Sequence, residues 1–353
     1  MRRRGKVRLP AGAGAIYDRV VVDDARARLL TRLRAVSGDP MLDWAEPPAP
    51  LPGGFETTTY AIRFRAAGAA WSRPLVLRLL PPNASPAWLA REAAVLRRLG
   101  ELAFPVPALR DVCPDPAVAG GPYLLMERLD GTDLLTDAIR RRSGDVTSTL
   151  AALQARLHAL DPGALAGALG TLDEPFADLE ARLARARLDG LAPGLAWLRA
   201  HRPPARETVV CHGDFHPRNV LVRDGVVAGV IDWSLVVLAP PEFDVGSTRL
   251  VLAYAPVELP APLAQVAGVL QRGVVAPRYE RAYRRRRAVD ARAIEYYEAL
   301  RAFRCLVWAG EARRLAEGMA LDAYKRGPWH EPRTARRLAR RFRRLTGIEP
   351  TLP

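Results

Sequence analysis

The sequence predicts an α+β protein with a small N-terminal lobe of antiparallel strands plus a helix and a large, mostly helical C-terminal lobe. Three observations predict it. Residues 55–131 read β-β-α-β, with a further strand near 106–112. From Gly131 onward the periodicity turns helical. One short hairpin interrupts that second part, around the turn Arg223-Asp224-Gly225.

Residues 16–36 place Leu29, Leu30, Leu33 and Val36 at helical spacing, and the proline-rich stretch 39–53 reads as a linker. Residues 1–50 are therefore an N-terminal helical extension, 51–130 the small lobe and 131–353 the large one. Residues 57–64 alternate as a strand, residues 75–80 are a short apolar run holding one charge, and Ala-Ala-Gly-Ala-Ala turns between them. The helix 86–100 opens on Ser85-Pro86 and stops at Gly100, with Leu89, Ala93, Leu96 and Leu99 on one face. Residues 123–129 form a strand that runs into the turn Asp130-Gly131. Residues 147–160, 175–200 and 290–318 are helical, the last with Ile294, Tyr297, Leu300, Leu306 and Trp308 on or near one side.

Composition excludes several classes. Apolar residues make up 49% of the 353, enough for a sizeable core, yet no run of 18 apolar residues predicts a membrane helix. The basic start Met1-Arg2-Arg3-Arg4-Gly5-Lys6 lacks the apolar segment of a secretory signal. Cys113, Cys211 and Cys305 are widely spaced with no CxxC pair, so neither a zinc site nor a disulfide framework is expected, and a cytoplasmic location is. The net charge is +15, but residues 1–8 carry +5 and residues 325–353 carry +7, leaving +3 for the 316 residues between. That distribution speaks against a nucleic-acid binder.

The chemistry lies in Val210-Cys211-His212-Gly213-Asp214-Phe215-His216-Pro217-Arg218-Asn219-Val220-Leu221, followed by Val230-Ile231-Asp232-Trp233. Asp214 and Asn219 are five residues apart in a polar turn, and Asp232 follows thirteen residues later. A hairpin returns the chain to its start, so the three side chains converge. Carboxylate and amide oxygens of this kind suit Mg²⁺, a hard ion that prefers oxygen. The spacing matches the catalytic loop and metal-binding aspartate of protein kinases.

These residues resemble the aminoglycoside phosphotransferase family, kinase-like enzymes that phosphorylate small molecules. Leu153-x-x-x-Leu157-His158-Ala159-Leu160-Asp161 and Met126-Glu127-Arg128-Leu129-Asp130-Gly131 extend the resemblance over roughly residues 50–310. It implies a protein-kinase-like bilobal fold and ATP-dependent transfer of the γ-phosphate to a hydroxyl, with ATP and Mg²⁺ as cofactors and GTP open as donor. Asp214 would be the catalytic base, and Asn219 and Asp232 would hold the metal. Gly53, Gly54 and Phe55, before the first strand, would approach the phosphates. Met126, Glu127 and Leu129 would form the adenine hinge. The family's strand lysine is missing, because the two lysines are Lys6 and Lys325. Arg78 stands in the matching place, with Glu92 as its expected partner. His212 is expected to scaffold the loop, and Asp244 to support it or to cap a helix.

The partner is a small hydroxylated acceptor: an antibiotic such as an aminoglycoside or macrolide, a sugar or an amino alcohol. No dense acidic cluster appears, which argues against a polycation and leaves a neutral or anionic acceptor open. The missing lysine keeps one alternative, a nucleotide-binding pseudokinase acting through interaction.

Overall fold

The computed structural model describes residues 23–51, 57–65, 68, 70–81, 84–141, 144–171, 173–257, 259–317 and 327–353. The chain forms two compact units. One holds residues up to 93 and Pro107–Arg128, the other Ala94–Val106 and Leu129–Pro353. The division falls inside the helix Pro86–Glu101.

In the first unit five antiparallel strands lie in the order Ala49–Pro50, Thr58–Ile62, Leu75–Leu79, Tyr123–Glu127, Leu109–Cys113. The first of these lies inside the stretch read as a linker: Ala49 pairs Ala61 and Pro50 pairs Tyr60. Proline is tolerated there because the strand is at the sheet edge. Period-two alternation sends Leu75, Leu77 and Leu79 into the core, where they join Leu29, Leu33 and Leu42. Arg78 therefore points to the opposite face, level with Thr59 and Leu124. The helix Asp23–Ser37 is pinned to this sheet by Arg32, which donates twice to Asp111 at 2.8 Å. Tyr123 Oη also donates to Asp111, at 2.7 Å.

The second unit is mostly helical. Its core gathers Phe176, Leu198, Phe243, Leu300, Phe303 and Phe342 from five helices: Asp173–Arg185, Ala192–Ala200, Pro241–Tyr254, Ala291–Ala316 and Pro332–Thr346. The helix expected over 175–200 is two helices. Arg187 has a positive φ of 49° and Asp189–Leu191 forms a 3₁₀ turn, after which Ala192-Pro193 restarts the helix. The strand Val209–Cys211 pairs antiparallel with Val237–Ala239. Between them lies the hairpin Val220–Arg223 and Val226–Val230, with Thr132–Asp133 as its third strand. Asp224 and Gly225 both have positive φ, 54° and 81°, the twist a two-residue hairpin loop needs. Among the described residues no helix is long and apolar enough to cross a membrane.

Candidate active site

The segment 212–219 leaves one strand and the hairpin brings residues 231–233 back beside it. Ile231 N–H donates to Asn219 C=O at 2.9 Å, so Asp232 emerges next to Asn219. Asn219 Nδ2 donates to Asp214 C=O at 2.9 Å, which turns its Oδ1 the other way. Asp232 has a φ of 66°, a left-handed conformation that costs a side-chain-bearing residue about 1–2 kcal/mol. The next residue anchors it: Trp233 is buried and its Nε1–H donates to Val230 C=O at 3.0 Å. Ser234 Oγ donates to Asp232 Oδ1 at 3.0 Å. Asp214, Asn219 and Asp232 are thus brought together on two neighbouring loops of one unit.

His212 joins those loops. Its Nε2–H donates to Ile231 C=O at 3.1 Å and its Nδ1 accepts the Asp214 N–H at 3.2 Å. That pair of bonds fixes a neutral imidazole, and burial pushes its pKa down in agreement. Gly213 has a φ of 81°, and a Cβ there would stand 2.2 Å from Leu235 C=O. Gly213→Ala is therefore expected to lower the melting temperature by several degrees, measured by circular dichroism; an unchanged melt would mean the loop relaxes freely.

Asp244 sits in the first turn of the helix Pro241–Tyr254, and no side-chain bond caps that helix. Its carboxylate instead accepts the backbone N–H groups of His212 at 2.8 Å and Gly213 at 2.7 Å. His158 Nε2 lies 3.2 Å away and His158 Nδ1 meets Tyr283 Oη at 2.6 Å. Burial alone would raise the Asp244 carboxyl; the His158 bond and the loop N–H groups reverse that and hold it below the usual range. Cys211 lies beside this pair, but its thiol faces Ala239 C=O and Pro240 C=O and burial pushes its pKa up. It is neither an activated nucleophile nor a free metal ligand.

Sequence reasoning missed Arg301. From the helix Ala291–Ala316 its Nη2 donates to Asp214 Oδ1 at 2.6 Å. The Arg301 side chain is 3% exposed and that of Asp214 20%. Gly246 makes the approach of the two helices possible, since a Cβ there would stand 2.7 Å from Ile294 C=O. Burial would raise the Asp214 carboxyl, but Arg301 first, then His216 and His212, hold it well below the usual carboxylate range. His216 Nε2 is 3.5 Å from Asp214 Oδ2.

In the first unit Arg78 Nη1 donates to Glu92 Oε1, and Arg78 Nε donates to Thr57 Oγ1 at 3.2 Å. The expected pair is formed, almost wholly buried at Glu92. Met126 is buried in its strand, opposite Val76 and Leu109. The Glu127 carboxylate pairs with Arg73 at 2.9 Å. Leu129 begins the second unit and packs on Gly229. Gly53, Gly54 and Phe55 lie outside the described residues.

Residues 48–303 match the phosphotransferase enzyme family. The chain belongs to that family. Solved structures with similar folds include a Ralstonia eutropha JMP134 protein assigned to the aminoglycoside phosphotransferases (TM-score 0.60, 18% identity, 92% of this chain and 96% of that one). A macrolide 2′-phosphotransferase of type I gives 0.53 at 20% identity, covering 82% and 95%. An aminoglycoside phosphotransferase APH(4)-Ia variant, solved with ADP and hygromycin B, gives 0.54 at 16%, covering 91% and 99%. At these identities the likeness is one of fold. Among curated proteins, mouse acyl-CoA dehydrogenase family member 10 is 28% identical over 225 residues, 59% of this chain and 20% of its own length. The Arabidopsis thaliana protein IBR3, described as an acyl-CoA dehydrogenase, is 30% identical over 197 residues, 48% of this chain and 24% of its own length. The matches thus span a quarter or less of those longer proteins.

Proposed function

We propose that this phosphotransferase moves the γ-phosphate of ATP, with GTP the alternative donor, to a hydroxyl of a small molecule. The observation that carries the reading is the Asp214–Asn219–Asp232 cluster, closed by the Ile231-to-Asn219 and Asn219-to-Asp214 hydrogen bonds. A relative solved with ADP and hygromycin B supports the same assignment.

The acceptor oxygen attacks the γ-phosphorus, the bond from that phosphorus to the bridging oxygen breaks, and ADP leaves. The hydroxyl proton passes to the Asp214 carboxylate. Little covalent help is needed in so loose a transition state, so positioning and charge dominate. The donor set fits Mg²⁺: Asn219 Oδ1 and the Asp232 carboxylate are hard oxygens, and Asn219 is turned to present its oxygen. Bound there, the ion would neutralise charge on the phosphates. His212 and Asp244 keep the loop in shape and touch no reacting atom.

Arg78, paired with Glu92, takes the place of the lysine and steadies the nucleotide phosphates, while Met126, Glu127 and Leu129 hold the adenine. Arg78→Ala is expected to raise the KM for ATP roughly ten- to a hundredfold, the worth of a charged hydrogen bond. An unchanged KM would refute that role. The whole reading is tested by incubating protein and Mg-ATP with panels of hydroxylated acceptors and reading phosphorylated product by mass spectrometry. Nucleotide binding without any product would instead support a pseudokinase.

A further inference from the structure

The acceptor half of the site carries an unbalanced charge. Two arginines of the helix Ala291–Ala316 share one tryptophan, and one of them, Arg301, bonds Asp214. Arg301 is buried, and beyond its bond to Asp214 its Nε and Nη1 find no acceptor. Arg304, partly exposed, makes no hydrogen bond or ion pair within the described residues. Both guanidiniums instead stand over Trp308, their central carbons 5.2 and 5.9 Å from its ring centroid. Burial, and then the charge of Arg301, pull the Arg304 pKa down to about 10.

A buried guanidinium with one carboxylate bond and a second cation sharing its tryptophan leave positive charge that a further anion would balance. The buried Arg301 Nε and Nη1 donors left without acceptors carry the same message, since an unmet buried donor is destabilising until it is filled. Arg301 stands beside the carboxylate that receives the proton, and Arg304 reaches the same Trp308 face. An arginine fork is suited to carboxylate or phosphate.

We propose that the acceptor is an anion: a small alcohol whose carboxylate or phosphate group docks on Arg301 and Arg304 while its hydroxyl faces Asp214. This rests on the phosphotransfer reading and narrows its substrate class.

The test is calorimetric titration of the 353-residue chain, without nucleotide, using matched probes. One pair is 3-hydroxybutyrate against 3-hydroxybutyramide, the other glycerol 3-phosphate against glycerol. We expect the anion of one pair to bind at least tenfold tighter than its neutral partner, and the preferred pair tells carboxylate from phosphate. Arg304→Gln and Arg301→Gln should each cut that preference at least fivefold, with circular dichroism melts checking the fold. Arg304→Gln, at a partly exposed position, is the safer variant. Equal binding within both pairs, or a preference that survives both substitutions, would overturn the proposal. So would Arg304→Gln weakening ATP while leaving the anions untouched, which would assign the arginines to the γ-phosphate. Anion binding without phosphoryl transfer would sink the phosphotransfer reading and leave the anion site standing.

Discussion

Asp214→Asn is expected to lower turnover by about a thousandfold, within the roughly 10²–10⁴ that a positioned proton acceptor contributes. The amide keeps the shape of the carboxylate, so the ATP KM should hold. Arg301, however, would lose its sole carboxylate partner among the described residues. A buried cation stripped of its counter-ion is destabilising by about 3–5 kcal/mol, so stability must be measured alongside rate. The double variant Asp214→Asn with Arg301→Gln separates the two effects: it should regain stability and stay inactive. Retention of more than a tenth of the activity by Asp214→Asn would refute Asp214 as the base. The pH profile follows from the same pair. The folded pKa of Asp214 is depressed, so its contribution to stability is present above the ordinary carboxylate pKa and is lost only as pH falls through the lower folded value. Between about pH 5 and 8 the carboxylate stays ionised, and no acidic limb of kcat should trace to it. Initial rates across that range, in free enzyme and at saturating acceptor, check this.

What the sequence made legible and what it hid have a common physical basis. Asp214, Asn219 and Asp232 lie within nineteen consecutive residues, and Asp224-Gly225 announces the hairpin that folds them together. Local turn chemistry alone predicts their meeting. Arg78 could be paired with Glu92 because a charge inside an apolar strand run demands a partner, and the alternation of Leu75, Leu77 and Leu79 fixes which face it takes. Arg301 lies 87 residues from Asp214, and its contact depends on how two helices cross at Gly246. No local pattern encodes that. One signal was present: Arg301 falls four residues after Tyr297 and seven before Trp308, on the apolar stripe of its helix. Reading the stripe only for its apolar members passed over it. The break at Arg187 was hidden in the same way, since periodicity persists across a short 3₁₀ turn.

Asp244→Ala is expected to be strongly destabilising. The fully buried carboxylate accepts two backbone N–H groups and meets His158. Removing it strands both N–H groups where water cannot replace it, at about 1–3 kcal/mol each. The total, roughly 3–5 kcal/mol, is a large share of a typical folding free energy of about 5–15 kcal/mol. The loss reaches the chemistry through a short path. The His212 and Gly213 amides set the start of the loop, and His212 in turn holds the Asp214 N–H and the Ile231 carbonyl. Loosening that start moves Asp214 and Asp232 together, so turnover should fall more than stability alone explains. Asp244→Asn distinguishes position from charge. Its amide oxygen can accept one loop N–H, but its NH₂ must face the other, so about half the stability should return. Urea unfolding monitored by tryptophan fluorescence, with turnover measured well below the melting temperature, reads both quantities. If Asp244→Ala melts within a degree or two of the parent, the loop is held by Ser247 and Thr248 instead, whose hydroxyls donate to Gly213 and Phe215 carbonyls at 3.4 and 2.7 Å. The carboxylate would then be a passenger in a polar network whose strength lies elsewhere.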